Sequence, residues 1–416
     1  MLARLLFPTL LLALSLPAIC IADDWPQWRG PSRDGISQET GLLHQWPQDG
    51  PPLTWQVTDV GDGYSTPSVV GERIYLLGNN GLEEEFVQAR NVSDGELIWS
   101  TKVGKVGENN QPKYPAARST PTIDGEYLYA LGSNGDLVCL TTRDGKEVWK
   151  KNLKQDFGGK PGNWAYAESP LVDGEIVVCT PGGAEATIVA LNKKTGEPVW
   201  TSPLKEADEA GYASIVIMNA GGKKQYVQFL ENGVVGIDAA TGTLLWRYDR
   251  TAEGSPANIP TPIVQDNLVY TASARGGGAL IAIESAGDEF SIKEIYHSQK
   301  LPNSIGGAIL HEGHLYGTNR QGLMCVDFKT GEILWQDRAI GAASVLYADG
   351  LLFLHGENGE VALVEASPES YHELGRFTPA NSPDRGKSKA WAYPVLANGA
   401  LYIRDDVALW RYHVAE

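Results

Sequence analysis

The chain has 416 residues, a formal net charge of −17 and a hydrophobic fraction of 42%. This acidic balance disfavours nucleic acid and anionic membrane surfaces as partners of the whole molecule. Glycine (47), proline (24), tyrosine (17) and tryptophan (12) are abundant, and beyond the N-terminus no window keeps a 3.6-residue apolar period. The length would suit two or three average domains, but the composition favours one large all-β domain.

The first 22 residues are typical of a secretory signal peptide. Arg4 gives a positive start, an apolar run follows, and small residues lead to Ala22. A membrane anchor is the alternative, but the run is shorter than the ~20 apolar residues that a span requires. Lipid attachment through Cys20 is a second alternative, although Pro17 and Ile19 depart from the residues that such signals prefer. We therefore expect a secreted or periplasmic protein.

Residues 23–50 form a segment rich in tryptophan, proline and glycine that lacks strand alternation. We expect this segment to pack on the domain that follows, with Trp25 and Trp28 buried. A disordered leader is the alternative.

One stretch with glycine at position 7 and tryptophan at position 11 occurs five times, each time starting with a small residue. The copies are ARNVSDGELIW (89–99), CLTTRDGKEVW (139–149), ALNKKTGEPVW (190–200), GIDAATGTLLW (236–246) and CVDFKTGEILW (325–335). In each copy an apolar strand enters a polar turn, where glycine supplies a positive φ, and a second strand begins. The stretch predicts a β-hairpin whose large tryptophan packs between neighbouring repeats.

A further pair of strands precedes each hairpin, as in YSTPSVVGERIYLLG (64–78). Each unit thus has four antiparallel strands in ~40 to 50 residues, the size of a propeller blade. Degenerate copies at 280–296 and 362–377 and three strands in 391–416 extend the series. Such blades must stack in a ring to bury both faces.

The last unit needs a fourth strand, and PPLTWQVTDV (51–60) offers one. Trp55 precedes the first repeat tryptophan by 44 residues, close to the later spacings of 50, 51 and 46. We predict an all-β, eight-bladed β-propeller over residues 51–416, closed by this N-terminal strand so that the ring has no free edge. The predicted docking residues are Trp55, Trp99, Trp149, Trp200, Trp246 and Trp335.

The five copies resemble the tryptophan-docking motif of the eight-bladed propellers named after pyrroloquinoline quinone (PQQ) dehydrogenases. The resemblance spans residues 50–416. The segment DWPQWRGPSRDG (24–35) also looks like the start of secreted PQQ-like repeat proteins of planctomycete-type bacteria. The resemblance of the docking motif indicates a scaffold and no particular chemistry, since one fold hosts many functions.

Residues that lead into the innermost strands should rim the central funnel. These ligand-binding candidates are Tyr64, Arg118, Trp164, Glu168, Tyr212, Asn258, Asn303 and Trp391. The resemblance implies the arrangement of the dehydrogenases as one expectation for this funnel. In those enzymes the quinone lies on a tryptophan face beneath a vicinal disulfide, Ca²⁺ is held by Glu, Asn and Asp, and another Asp serves as the base. Glu168, Asn258 and Asn303 would match part of the calcium set, but the Asn303 amide brings no negative charge and accepts no proton.

Other features of the enzyme pattern are absent from the sequence. It has no adjacent cysteines and no Cys-x-x-Cys-His haem motif. Cys139, Cys179 and Cys325 lie in apolar strand patterns and are interpreted as buried free thiols. His311 and His314 fall in a predicted hairpin turn, where we expect no metal site.

Two functions remain. We favour a secreted or periplasmic, monomeric, non-catalytic scaffold without cofactor or metal. Through its funnel and loops it would bind a protein, peptide or carbohydrate, resembling the propeller lipoprotein that assists outer-membrane protein assembly. The alternative is an alcohol or sugar dehydrogenase that depends on PQQ and calcium.

Overall fold

The computed structural model describes residues 23–110, 114, 116–204, 208–386 and 388–416. The predicted signal peptide, with Cys20, lies outside the described residues. Within them, 32 strands form eight four-stranded sheets, accompanied by one α-helix, α1 (Leu153–Phe157), and one 3-10 helix (Arg250–Ala252). No helix in these ranges has the length and apolarity needed to cross a bilayer.

The first strand of the chain, β1, spans Leu53–Val57. The first four complete sheets then follow in chain order, each built from four consecutive strands. Blade 1 contains β2 (Ser68–Val70), β3 (Arg73–Asn80), β4 (Glu84–Asn91) and β5 (Leu97–Gly104); blade 2 contains β6 (Thr122–Asp124), β7 (Tyr127–Leu131), β8 (Asp136–Thr141) and β9 (Glu147–Asn152); blade 3 contains β10 (Leu171–Asp173), β11 (Ile176–Cys179), β12 (Ile188–Asn192) and β13 (Pro198–Ser202); blade 4 contains β14 (Val216–Ala220), β15 (Lys223–Phe229), β16 (Val234–Asp238) and β17 (Leu244–Tyr248).

The remaining blades repeat this arrangement, except that the last one takes its fourth strand from the start of the chain. Blade 5 contains β18 (Ile263–Gln265), β19 (Leu268–Ser273), β20 (Gly277–Ala286) and β21 (Glu289–Ser298); blade 6 contains β22 (Ala308–His311), β23 (His314–Asn319), β24 (Gly322–Asp327) and β25 (Ile333–Asp337); blade 7 contains β26 (Ala343–Ala348), β27 (Leu351–Gly356), β28 (Val361–Glu365) and β29 (Glu373–Phe377); blade 8 contains β30 (Val395–Ala397), β31 (Ala400–Asp405), β32 (Ala408–His413) and β1.

The closing strand pairs as the sequence predicts. β1 runs antiparallel to β32, with Gln56 opposite Trp410 and Val57 opposite Leu409. Trp410 is fully buried in the largest hydrophobic cluster, which joins blades 7, 8 and 1. The eight-bladed propeller and its closure by the N-terminal strand are therefore confirmed.

A repeat glycine meets an aromatic ring of the preceding blade across five of the eight blade boundaries. The ring of Trp99 lies against Gly145 of the next blade, and its Nε1 donates to the Thr142 carbonyl at 3.1 Å. Equivalent bonds from a side chain to the next blade join Trp55 to Val92 O, Trp149 to Lys193 O, Trp200 to Ala239 O, Tyr296 to Phe328 O and Trp335 to Ser367 O. The motif therefore recurs because the glycine of each copy receives an aromatic ring from the preceding blade, and four of the five copies dock their own tryptophan on the next blade.

Trp246 differs from the other predicted docking residues. Its Nε1 donates to Gln225 Oε1 within its own blade at 2.7 Å. In the following blade a hairpin of two 10-residue strands, β20 and β21, replaces the short glycine turn. The glycine in its turn, Gly287, has nothing within 4 Å of a Cβ position, so it receives no ring.

The three cysteines in the repeats are buried and unpaired. Burial raises the pKa of the Cys139 thiol to about 12 and that of Cys325 to about 11, so both are protonated at neutral pH. His311 and His314 face each other across the turn between β22 and β23. The described residues hold no group of three or more His, Cys, Asp or Glu side chains that could bind a metal ion.

Candidate functional site

The N-terminal segment, residues 23–50, crosses the axis of the ring. The backbones of Trp25 and Val69 exchange two hydrogen bonds of 2.7 and 2.9 Å, and Ile123 N donates to Pro26 O at 2.8 Å. Further hydrogen bonds join the segment to Ser169 and Pro170 before blade 3, Thr261 before blade 5, Ala308 in blade 6, Tyr347 in blade 7, and Gly399 and Val414 beside the strands of blade 8. One segment therefore ties seven of the eight blades together.

Two arginines of the segment are buried on the axis. Arg33 donates to the Ser169 and Pro170 carbonyls at 2.8 and 3.1 Å, and burial lowers its pKa to about 10. Arg29 donates to the Ala308 carbonyl at 2.5 Å. These side chains satisfy backbone acceptors that the innermost strands turn toward the channel.

Trp25 is buried (2% exposed), whereas Trp28 is only half-buried. The indole of Trp28 meets the Tyr393 ring edge-on at 4.6 Å, and its Nε1 donates to Thr261 Oγ1 at 3.0 Å. Trp28 was expected to be buried against the blades; instead, one of its faces borders a cavity.

This axial cavity has a volume of about 280 Å³, near the lower end of the ~300 to 1,000 Å³ range of ligand pockets. Seven of its fifteen lining side chains are aromatic. The lining side chains are Trp28, Tyr64, Tyr114, Trp164, Tyr212, Trp391 and Tyr393, with Arg118, Ala167, Ser214, Pro256, Ala257, Ile259, Ala274 and Ile305 between them.

Five of the eight predicted funnel residues line the cavity: Tyr64, Arg118, Trp164, Tyr212 and Trp391. The other three do not. The places where Glu168 and Asn258 were expected are taken by their neighbours Ala167 and Ile259. Successive residues of an extended strand point to opposite sides, so a one-residue offset moves a side chain out of the funnel.

A chain of hydroxyl groups sets the register at these strand starts. Thr120 N donates to Ser169 Oγ at 2.9 Å, and Ser169 N donates to Ser214 Oγ at 2.9 Å. Tyr393 N donates to Thr66 Oγ1 at 3.0 Å across the closure between blades 8 and 1. Each blade thereby positions the residue that its neighbour turns toward the axis.

Glu168 is enclosed in the wall of the ring. Its carboxylate accepts from Thr180 Oγ1 at 2.8 Å and from Gln228 Nε2 at 3.0 Å, and it also accepts from the Thr180 backbone N–H. Burial raises its pKa to about 7.

Asn258 and Asn303 likewise lie outside the cavity lining. The Asn258 amide donates to the Leu230 and Glu231 carbonyls at 2.8 and 2.7 Å. Asn303 is 8% exposed, and Ile305 takes the cavity position two residues later. Because Glu168, Asn258 and Asn303 do not meet at one point, they do not fit the calcium set of a quinoprotein.

The aromatic walls hold one another in place. The Tyr64 and Trp391 centroids are 5.1 Å apart, and Tyr114 meets Trp391 at 4.8 Å. In a second pair, the Trp164 and Tyr212 rings meet edge-on at 6.0 Å, and the Tyr212 hydroxyl accepts from the Trp164 backbone N–H at 3.0 Å. Rings fixed in this way form flat apolar surfaces with little entropy to lose on binding.

Arg118 is the one cation among the cavity-lining side chains of the described residues. Its Nη1 donates to the Ala116 and Trp164 carbonyls at 3.1 and 2.9 Å, and its Nη2 donates to Tyr114 O. The guanidinium carbon lies 5.8 Å from the centre of the Tyr64 ring. Burial lowers the pKa of Arg118, while nearby Tyr64, Tyr212 and Glu85 raise it.

Sequence reasoning missed Trp28, Tyr114 and Tyr393 as lining residues. Tyr393 follows Trp391 by two positions, so strand alternation would have placed both on the same side. Tyr114 lies in the long connection between β5 and β6, which gives no periodic signal. The position of Trp28 depends on the path of a segment outside the repeats.

Comparison with known proteins gives one matching family model and several relatives whose activities differ from one another. A family model described as outer membrane protein assembly factor BamB matches residues 83–337. The chain is 27% identical over 198 residues to BamB of Kangiella koreensis, covering 45% of this chain and 43% of that protein. It is 22% identical over 349 residues to the tetrathionate hydrolase of Acidithiobacillus ferrooxidans, covering 73% of this chain and 64% of that protein.

A third relative is the quinoprotein alcohol dehydrogenase PedH of Pseudomonas putida, 26% identical over 175 residues, which covers 41% of this chain and 28% of that protein. The chain thus matches less than two thirds of each of these three relatives. Among solved structures, BamB from Moraxella catarrhalis aligns with a TM-score of 0.58 and 16% identity, covering 86% of this chain and 97% of that chain. At that identity the likeness supports the fold alone.

Proposed function

The chain belongs to the family of outer membrane protein assembly factor BamB, and from this premise we propose that it is a secreted or periplasmic, non-catalytic binding propeller. Its axial cavity receives the ligand or partner group, and the loops around the mouth contribute further contacts. The partner that this propeller binds would be a protein, a peptide or a carbohydrate.

One observation carries this proposal: the chemistry of the cavity wall. The described lining residues include seven aromatic side chains and one arginine but no carboxylate, imidazole or thiol. Aromatic and apolar surfaces with a few fixed polar groups are typical of binding pockets. General acid–base catalysis would instead favour a group whose pKa lies near the working pH, whereas burial raises the pKa of Tyr64 and that of Tyr212, the latter to about 12.

A ligand screen by ligand-observed NMR tests the binding function. The purified protein is compared with Ala167→Phe, which adds a ring to the cavity wall and should fill the space. We expect compounds that bind the wild type and lose binding in Ala167→Phe. If every hit binds both proteins equally, the cavity is not the binding site and the proposal is wrong.

A PQQ- and calcium-dependent dehydrogenase is the second candidate, supported by the similarity to part of PedH. The flat faces of Trp164 and Trp391 would suit a quinone, but Glu168, Asn258 and Asn303 do not converge. Dye-linked oxidation of alcohols and aldoses after reconstitution with PQQ and Ca²⁺ decides between the candidates. Turnover that is lost in Glu168→Ala would favour the dehydrogenase.

A further inference from the structure

Arg118 retains hydrogen-bonding capacity toward the cavity. A guanidinium carries five N–H donors, and three of them are used by the carbonyls of Tyr114, Ala116 and Trp164. No described carboxylate lies within ion-pair distance of Arg118, since none of the ion pairs includes it. The described residues show no other partner of the guanidinium, so two N–H donors and its positive charge are left for a ligand.

The other polar groups of the lining include hydroxyls, which can both donate and accept. Ser214 Oγ accepts from Ser169 N at 2.9 Å and keeps its O–H as a donor, and four tyrosines contribute further hydroxyls. Arg118 is the one charged side chain among the described lining residues, and a charge-assisted hydrogen bond to it is stronger than a bond from a neutral hydroxyl. A ligand with an anionic acceptor group is therefore better suited to this cavity than a neutral carbohydrate.

The charge of Arg118 contrasts with its surroundings. The protein as a whole carries −17, yet Trp164, Tyr64 and Tyr212 surround a cation that forms no ion pair with a described carboxylate, although buried Glu85 acts on it from outside the cavity lining. A half-enclosed cation in an apolar wall interacts more strongly with an anion than the same pair would in water. A carboxylate fits best because its two oxygens match a guanidinium fork.

The shape of the cavity limits the rest of the ligand. The N-terminal segment blocks the axis, and Trp28 forms part of the floor, so a ligand enters from the opposite face. The side walls are the fixed pairs Tyr64–Trp391 and Trp164–Tyr212. A flat ring between such walls gains stacking and burial energy.

We infer that the axial cavity binds a small organic anion that has a flat apolar body and one carboxylate, with the carboxylate at Arg118 and the body between the aromatic walls above Trp28. This inference rests on the binding function proposed above and names the class of its ligand.

Three probes with the same ring and different charge test the inference: indole-3-acetate, indole-3-acetamide and tryptamine. Binding to the full chain is measured by calorimetry. We expect the anion to bind about tenfold or more tightly than the neutral amide, because a charge-assisted hydrogen bond is stronger than a neutral one. Tryptamine should bind weakest.

Arg118→Gln should reduce the preference for the anion over the amide to about twofold or less, since only uncharged donors remain. Arg320→Gln removes the same charge from an exposed position and should leave the preference unchanged. If Arg118→Gln does not fold, the salt dependence of the wild type replaces it: added NaCl should weaken binding of the anion and not of the amide.

The outcomes separate the two proposals. If the amide binds as tightly as the anion, and Ala167→Phe abolishes both, the inference about charge is wrong while the binding function stands. If none of the probes binds, the inference is wrong, and the broader ligand screen decides the binding function independently.

Discussion

At the scale of single residues, a docking contact depends on the absence of a Cβ atom. A Cβ on Gly145 would lie 2.4 Å from the Trp99 ring of the preceding blade, and Gly145 has a φ of +67°. Gly125 has a similar φ of +58° but nothing within 4 Å of the position of a Cβ. Alanine substitutions at these two glycines therefore distinguish the energetic cost of backbone strain from the cost of a disturbed docking contact.

We expect Gly125→Ala to cost about 1 to 2 kcal/mol of unfolding free energy, the penalty of a left-handed backbone. Gly145→Ala should cost about 1 to 3 kcal/mol more, because the added methyl displaces the Trp99 ring. Urea unfolding of both variants measures the difference. Equal losses would show that the ring moves aside without cost.

Buried Glu85 should make the stability of the fold depend on pH. Its carboxylate accepts from Ser133 N at 2.9 Å and from Ser133 Oγ at 2.6 Å, but burial raises its pKa from 4.5 to about 7. Between these pH values the folded state holds a proton that the unfolded chain has lost. The stability contributed by this group is therefore present below pH 4.5 and is lost as the pH rises to 7.

In Glu85→Gln this pH dependence should disappear. The melting temperature of the variant relative to the wild type should rise between pH 4.5 and pH 8, as followed by calorimetry. Glu83→Gln, at an exposed position, is the matched control and should show no such trend. A constant difference between variant and wild type across this range would contradict the buried, protonated state of Glu85.

At the scale of elements, the N-terminal segment acts as a plug. Trp25, Leu42 and Trp46 lie in the same hydrophobic cluster as the strands of blade 8, and hydrogen bonds reach seven blades. Deleting residues 23–50 leaves β1 in place, so the ring should still close and remain monomeric. The melting temperature should fall and cavity ligands should lose affinity, since the Trp28 floor is gone.

Calorimetry and size-exclusion chromatography check this deletion. An unchanged melting temperature would mean that the segment adds no stability, as a disordered leader would. Limited proteolysis of the intact chain gives an independent result, because a packed segment is cleaved late and a loose leader early.

The sequence predicted the elements better than the site. Strand order followed from the repeats because each copy carries its own turn glycine and docking tryptophan. The side of the strand that faces the axis was harder to predict. Ala167 and Ile259 line the cavity without any chemical signal, and their polar neighbours Glu168 and Asn258 point away. The contribution of Trp28 depends on a long-range path that no local pattern encodes.

At the scale of the whole molecule, the ring depends on a strand taken from the far end of the chain. Deleting residues 23–60 removes β1 and leaves blade 8 with three strands and an unpaired edge at β32. Exposed edges template pairing with other chains, so this deletion should give aggregates, detected by light scattering. The deletion of residues 23–50 is the control. A soluble monomer of normal stability would contradict the closure.

The pairing of β1 with β32 also has a kinetic consequence. Gln56 and Trp410 meet across almost the full length of the chain, and closing so long a loop costs entropy before any contact repays it. The plug cannot pack on seven blades until those blades stand in a ring, so a segment that precedes the blades in the chain is among the last to be ordered. The same contacts must break before the ring can open, which makes spontaneous unfolding slow. Such a protein would persist because its ring opens rarely.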